Sequence, residues 1–346
     1  MNQDWPRLLG SLVRRNHLDA DSARWAMSEI LSGNASAVQI AAFVVALRTK
    51  GETVEEVTGL ADAMLASATP VCLPREALDI VGSGGDRANT VNVSTMAAVV
   101  AAAAGVPVVK HGNRAASSKC GTADVLEAIG VALDVPASAQ PGVLERAGIT
   151  FLFAPMYHPA LRHAAGARRE LGIQTTFNFL GPLANPARPR ANAVGVADAA
   201  MAPLVAGVLA GRGAHGLVFH GGDGLDELTT TTASAVWLIR DGQVSRDHID
   251  PSRLGLRLAQ PGELTGGDAA HNAQVVWEVL RGRPGPVRDI VVLNAAAGLV
   301  AYAGPEPGER LEDQLAEALG RAAEAIDSGA GEATLARWVE VSQSMR

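Results

Sequence analysis

Two short turns concentrate the residue types that can hold an anionic ligand. The first is Gly82-Ser83-Gly84-Gly85-Asp86 and the second is Lys110-His111-Gly112-Asn113-Arg114, followed by Ser117 and Ser118. Each follows a short apolar run and precedes a helical pattern. Glycine lets backbone N–H groups approach a ligand closely, and a helix starting there turns its positive dipole end toward an anion. Thr90, Asn92, Ser94 and Thr95 add side-chain donors between the turns, and Lys110 and Arg114 add positive charge. Either turn alone would serve equally well as a strand–helix junction that needs glycine. Two in succession, both loaded with donors, read as a cradle for a ligand rich in phosphate and hydroxyl groups. A third stretch, Gly221-Gly222-Asp223-Gly224-Leu225-Asp226-Glu227, carries three carboxylates. Adjacent Asp226 and Glu227 face opposite ways in a regular strand, but in a turn both can reach one or two hard cations. Such a site suits Mg²⁺ that also binds substrate phosphates, and a solvated acidic loop is the plain alternative.

Known fingerprints are missing. Gly82–Arg87 is not G-x-G-x-x-G, and no P-loop sequence G-x-x-x-x-G-K-[ST] occurs. His111, His158, His163 and His220 are scattered without the spacing of a zinc site. G-x-S-x-G is absent, and nothing singles out a nucleophile.

The elements that must position these turns fall into two groups. Residues 1–66 read as four helices. Leu8, Leu9, Leu12 and Val13 form one stripe, Asp21 caps a second helix, Ser36 opens a third, and Thr53 with Glu56 forms a capping box for a fourth. From Leu78 the pattern changes to strands alternating with helices. Strands are expected at Leu78–Val81, Val106–Val109, Thr150–Ala154, Ala193–Val196 and Gly216–His220. Helices are expected near 95–104, 121–129, 141–147, 200–211, 268–281, 286–302 and 310–327. This alternation predicts a mostly parallel sheet with helices on both faces. Val236–Ile239 and Gln243–Ser245, split by Asp241-Gly242, read as a hairpin. Leu161–Gly172 reads as a polar helix whose Arg162, Arg168 and Arg169 would by themselves be an ordinary solvated basic face.

A chain of 346 residues with 48% hydrophobic and 19% charged residues can bury a sizeable core. Its net charge of −7 argues against broad nucleic-acid affinity, which needs a basic surface. Cys72 and Cys120 show no pairing pattern and suit a reducing cytoplasm. The N-terminus does not read as a signal peptide, and the apolar run Met96–Val109 is too short to span a bilayer.

Taken together, these motifs resemble the anthranilate phosphoribosyltransferase family. The resemblance rests on G-[ST]-G-G-D with the following N-x-S-T, K-H-G-N-R-x-x-S-S, D-x-L-E-A-x-G at Asp124–Gly130, and F-x-F-A-P-x-x-H-P at Phe151–Pro159. It continues through F-N-x-L-G-P-L-x-N-P at Phe177–Pro186 and G-x-D-G-L-D-E at Gly221–Glu227. Departures are small: Ser83 stands where threonine is common, Cys120 where serine is frequent, and the Thr229–Thr232 run after the acidic pair has no evident effect.

The resemblance implies a fold like that of nucleoside phosphorylases and phosphoribosyltransferases. A small all-helical domain, residues 1–68 joined in space by about 160–186, would accompany an α/β domain of residues 69–159 and 187–346. It implies a homodimer formed through the helical domain, acting without nucleic acid or membrane, and two Mg²⁺ per active site. 5-Phosphoribosyl pyrophosphate would be held from the first turn by Gly82, Gly85, Asp86, Thr90, Asn92, Val93, Ser94 and Thr95. From the second turn it would be held by Lys110, His111, Gly112, Asn113, Arg114, Ala115, Ala116, Ser117, Ser118 and Thr122. Anthranilate would meet Gly82, Asn113 and Arg168, and the metal would meet Ser94, Asp226 and Glu227. Because an arylamine is already neutral at pH 7, no acid–base residue is expected. A pyrimidine nucleoside phosphorylase and a catalytically silent nucleic-acid-binding relative are the two rivals. The acidic pair argues against the first and the net charge against the second.

Overall fold

The computed structural model describes residues 3–115 and 118–346. It opens with α1 (Trp5–Val13), α2 (Ala20–Leu31), α3 (Ala37–Lys50) and α4 (Val54–Ala66). Local chemistry sets their ends. Ser36 with Gln39, and Thr53 with Glu56, form complete capping boxes on α3 and α4. The cap of α2 is Asp19, whose carboxylate accepts from the Ser22 N–H, and not Asp21, which sits in the first turn. Both are acidic residues at the start of one apolar stripe, and only the backbone conformation separates them.

The remaining chain runs β1 (Leu78–Gly82), α5 (Val93–Ala103), β2 (Val108–Gly112), α6 (Thr122–Ile129), α7 (Gln140–Ala147) and β3 (Ile149–Phe153). Next come α8 (Ala154–Tyr157), α9 (Arg162–Leu171), β4 (Ala191–Gly195), α10 (Ala202–Gly211), β5 (His215–Gly221), β6 (Ser234–Arg240) and β7 (Gln243–Ile249). The chain closes with α11 (Ala269–Leu280), α12 (Pro286–Ala303), α13 (Leu311–Asp327) and α14 (Ala330–Ser344). The seven strands form one sheet in the order β3-β2-β1-β4-β5-β6-β7. The first five are parallel, and β6 and β7 are antiparallel additions. Asp241 and Gly242, both with positive φ, make the hairpin turn between them.

Alternation along the strands divides the interior. Ile80, Ala193 and Phe219 point into a core shared with α5, α11, α12, α13 and α14. Val81, Val194 and Val218 point the other way, into a core shared with α10 and the four N-terminal helices. Ala164 and Ala167 of α9 join that second core, and α9 packs on α2 and α3. Helix α12 is long and apolar enough to cross a membrane, yet its residues Ile290–Ala301 are buried against β1, β4 and β5. Helix α14 escapes the sequence reading. Gly329 and Gly331 look like a terminus, but Gly329 (φ +79) only turns the chain so that Leu335, Trp338 and Val341 return to the core.

Candidate active site

The strand order places β1 between β2 and β4. Chain connections leave β1 in opposite directions on its two sides, which opens a crevice beyond the carboxyl ends of these strands. Both Gly-rich turns begin at that edge, the first from Gly82 of β1 and the second from Gly112 of β2. The acidic loop arrives from β5, two strands away, and folds back over the same edge.

The two glycines at adjacent strand ends admit it. A Cβ on Gly82 would collide with the Asp226 carboxylate, and one on Gly195 with the Asp226 carbonyl. Asp226 Oδ2 accepts the Gly84 N–H at 2.6 Å. Glu227 Oε1 accepts the Ser94 N–H at 3.2 Å, which sets it at the N-terminus of α5, where the helix dipole favours negative charge. Far from being a solvated loop, the pair is only 8% exposed at each residue. Asp223, the third carboxylate, is turned aside: its Oδ2 accepts from the hydroxyls of Thr229 and Thr231. The threonine run thus has a structural purpose.

Beneath the pair lies Lys110. Its ammonium is fully buried and donates to the Ile80 carbonyl and, at 3.3 Å, to Ser94 Oγ. Asp79 shares this interior, accepting from Asn185 Nδ2 at 2.9 Å and from the His111 N–H at 3.3 Å. One ammonium therefore faces three buried carboxyl groups. Desolvation raises Asp79 to about 6. Desolvation, then the charge of Asp86, raises Asp226 to about 7. Desolvation and the Asp226 charge push Glu227 well above the usual carboxylate range. Desolvation lowers Lys110, against the pull of Asp79, Glu227 and Asp226. A further cation would relieve this excess of negative charge, so the residues fit a divalent ion. Among the described residues no three His, Cys, Asp or Glu side chains gather to hold one unaided. That donor set suits Mg²⁺, which keeps free positions for water and phosphate oxygens.

The second turn is held by the Asp124–Glu127 motif. Asp124 Oδ2 accepts the N–H groups of Ala115 and Gly121, both at 2.9 Å. Arg114 bonds Asp124 at 2.9 Å and Glu127 at 2.8 Å, and lies over the Phe153 ring. Asn113 is exposed, Ser118 Oγ lies 3.4 Å from the Cys120 carbonyl, and Thr122 begins α6 beside Gly112. Ala116 and Ser117 lie outside the described residues. Asn92 joins the turns, accepting from Asn272 Nδ2 at 2.8 Å and donating to the Cys120 carbonyl at 3.2 Å. Thr90 bridges to Thr265 through the backbone.

Four residues expected to line the cradle have side chains beneath it. Val93 is in the core and gives its N–H to Val91. Thr95 is buried with its hydroxyl unpartnered. Lys110 underlies the acidic pair. His111 donates Nδ1–H to the Gly181 carbonyl at 3.3 Å, and desolvation, then His158, lowers it to about 3. His158 is fixed by the Ala184 carbonyl at 2.7 Å and His220 by that of Val196 at 2.8 Å, both structural contacts.

Arg168 lies in the last turn of α9 with its guanidinium 5.2 Å from the centroid of the Phe177 ring. Burial lowers its pKa, and it has no carboxylate partner among the described residues. Six residues on, Gln174 Nε2 donates to the Gly85 carbonyl at 2.8 Å, so this segment touches the first turn. Neither Gln174 nor Asn272 stands out in the sequence, because single amides carry no spacing signal.

Residues 6–68 match the glycosyl transferase family, helical bundle domain, and residues 74–332 the glycosyl transferase family, a/b domain. An anthranilate phosphoribosyltransferase of Arthrobacter sp. (strain FB24) is 60% identical over 98% of this chain and 96% of its own length. The crystal structure of anthranilate phosphoribosyltransferase from Thermus thermophilus superposes with a TM-score of 0.89 at 39% identity, covering 97% of this chain and 99% of that one. The Saccharomyces cerevisiae enzyme in complex with PRPP and Mg gives 0.88 at 28% identity over 98% of each chain. The same yeast enzyme is also known in complex with 4-fluoroanthranilate, with a TM-score of 0.86 at 27% identity and 99% of each chain covered. With both domains matched and identity this high along nearly its whole length, the chain belongs to the anthranilate phosphoribosyltransferase family.

Proposed function

We infer that the protein transfers the phosphoribosyl group of 5-phosphoribosyl pyrophosphate to the amine of anthranilate, releasing pyrophosphate, in tryptophan biosynthesis. One observation carries the site assignment: a buried carboxylate pair at the ends of β1 and β4, on the edge that Gln174, close after the unpaired Arg168, also reaches. The pyrophosphate donor is a polyanion and lies over the two Gly-rich turns. Asp226 and Glu227, with the Ser94 hydroxyl, hold Mg²⁺. By the family resemblance we assign two such ions, with Asp226, anchored on the Gly84 turn, and Glu227, anchored on α5, as the carboxylates that would hold them. When bound, the metal neutralises charge developing on pyrophosphate.

The chain's own part is positioning and electrostatics. Arg168 fixes the anthranilate carboxylate, and Asn113 with the Gly82 backbone orients the ring. Lys110 opposes from below the protonation that burial favours at Glu227, rather than touching phosphate. The arylamine attacks in its neutral form, so no side chain need take its proton before bond formation. By the family resemblance we assign a homodimer formed through the helical part. Two small anionic substrates suit an enzyme of the cytoplasm.

Loss of anthranilate fluorescence tests the reading. We expect it only when protein, donor and Mg²⁺ are all present. Phosphate-dependent release of base from uridine or thymidine, without anthranilate turnover, would establish the phosphorylase reading instead.

A further inference from the structure

Helix α12 is apolar from Ile290 to Ala301 except at one residue, Asn294, which is fully buried. Asparagine is a poor helix former, and a buried amide is costly unless all its groups are bonded. Here they are bonded, and mainly to one target outside the helix. Asn294 Oδ1 accepts the Leu228 N–H at 2.9 Å, and Nδ2 donates to the Leu228 carbonyl at 2.8 Å. The other Nδ2 hydrogen goes to the Ile290 carbonyl at 2.9 Å. The side chain thus grips both backbone groups of the residue that follows Glu227. Leu228 is itself fully buried, so this point of the loop cannot slide.

Other contacts hold the loop on its far sides. The Gly221 N–H donates to the Leu225 carbonyl at 2.9 Å, just before Asp226. The Thr229 hydroxyl donates to Asp223 Oδ2 at 2.7 Å, and the Thr231 N–H donates to Thr229 Oγ1 at 3.0 Å. Helix α12 also packs along α5, whose N-terminus receives Glu227. One rigid pair of helices therefore fixes Glu227 from two directions, through its carboxylate on α5 and through its neighbour's backbone on α12.

We propose that Asn294 is a positioning residue for the cation site, holding Glu227 toward that site by clamping the Leu228 peptide groups. The proposal rests on the assignment of Asp226 and Glu227 as cation ligands, and the test separates failure of the two. Partners that orient metal ligands typically contribute tenfold to a hundredfold in affinity.

Mn²⁺ alone is titrated into the full-length protein and followed by electron paramagnetic resonance. The Mg²⁺ concentration for half-maximal turnover is measured in parallel. Asn294→Ala should weaken Mn²⁺ binding tenfold to a hundredfold and raise the Mg²⁺ requirement similarly, while turnover at saturating Mg²⁺ is largely kept. Asn294→Ser, which retains one hydrogen-bonding atom at the site, should show a smaller shift in the same direction. Leu299→Ala, a cavity on the same helix, should lower thermal stability and move neither constant. The proposal is overturned if both Asn294 variants bind Mn²⁺ as the wild type does while Asp226→Asn with Glu227→Gln abolishes binding. It is also overturned if Leu299→Ala shifts the constants equally. If the double carboxylate variant binds Mn²⁺ normally, the ligand assignment itself fails and the proposal with it.

Discussion

Replacing Arg168 by alanine probes the acceptor site with little disturbance elsewhere. Its guanidinium stacks on Phe177 and makes no ion pair among the described residues, so little folding energy is at stake. A cation–π contact of this kind contributes about 0.5–1 kcal/mol, and Arg168→Ala should lower stability by no more than that. The binding loss is larger. A hydrogen bond to a charged partner contributes about 1.5–3 kcal/mol, and a carboxylate can engage the guanidinium through two bonds. At about 1.4 kcal/mol per factor of ten, the Michaelis constant for anthranilate should rise about tenfold to a hundredfold. Steady-state kinetics with each substrate varied in turn is the assay, and the constant for the pyrophosphate donor should change little. Arg169, exposed on the next position of α9, is the control. If Arg169→Ala raises the anthranilate constant and Arg168→Ala does not, the wrong face of α9 has been assigned. If neither does, the carboxylate is held elsewhere.

Lys110→Met leaves three buried carboxyl groups without their ammonium, so chemical denaturation should show a loss of about 3–5 kcal/mol near neutral pH. That loss should be smaller at pH 5.5 than at pH 8, because Asp79, raised to about 6, is then largely protonated and no longer needs the cation. An equal loss at both values would show that Asp79 is not ionised beside Lys110. Gly195→Ala puts a methyl group onto the Asp226 carbonyl and should abolish most turnover by displacing the acidic loop, while far-UV circular dichroism stays near that of the wild type. Unchanged kinetics would mean that the loop position is not critical. Because Asp226 is raised to about 7 and must be ionised to bind metal, Mg²⁺ affinity should fall as pH drops below about 7. Calorimetric titration across pH 5.5–8.5 measures this, and a flat profile would show that Asp226 is not raised into this range.

The sequence by itself carried most of what is local. The helix start at Ser36, the capping box at Thr53, the Asp241-Gly242 turn and the alternation of strands with helices each depend on neighbours a few residues apart, and each appears in the structure. The two Gly-rich turns and the acidic pair were legible for the same reason, since their chemistry lies in contiguous residues. Depth was not legible. Lys110 alternates with Val109 on a strand, and nothing in that pattern says that the ammonium is sealed beneath Glu227. Nor could spacing show that Asp223 is turned aside by two threonines, or that Gly195 is required because Asp226 lies across it. Arg168 read as a solvated face on periodicity alone. Its guanidinium is covered by the Phe177 ring, a contact that exists only in the folded chain, where α9 packs on α2 and α3. Burial, close approach and the meeting of residues 66 positions apart, as with Leu228 and Asn294, are properties of the assembled layers. They set the charge balance of the site, and charge balance is what decides whether a row of polar residues can bind a metal and a substrate.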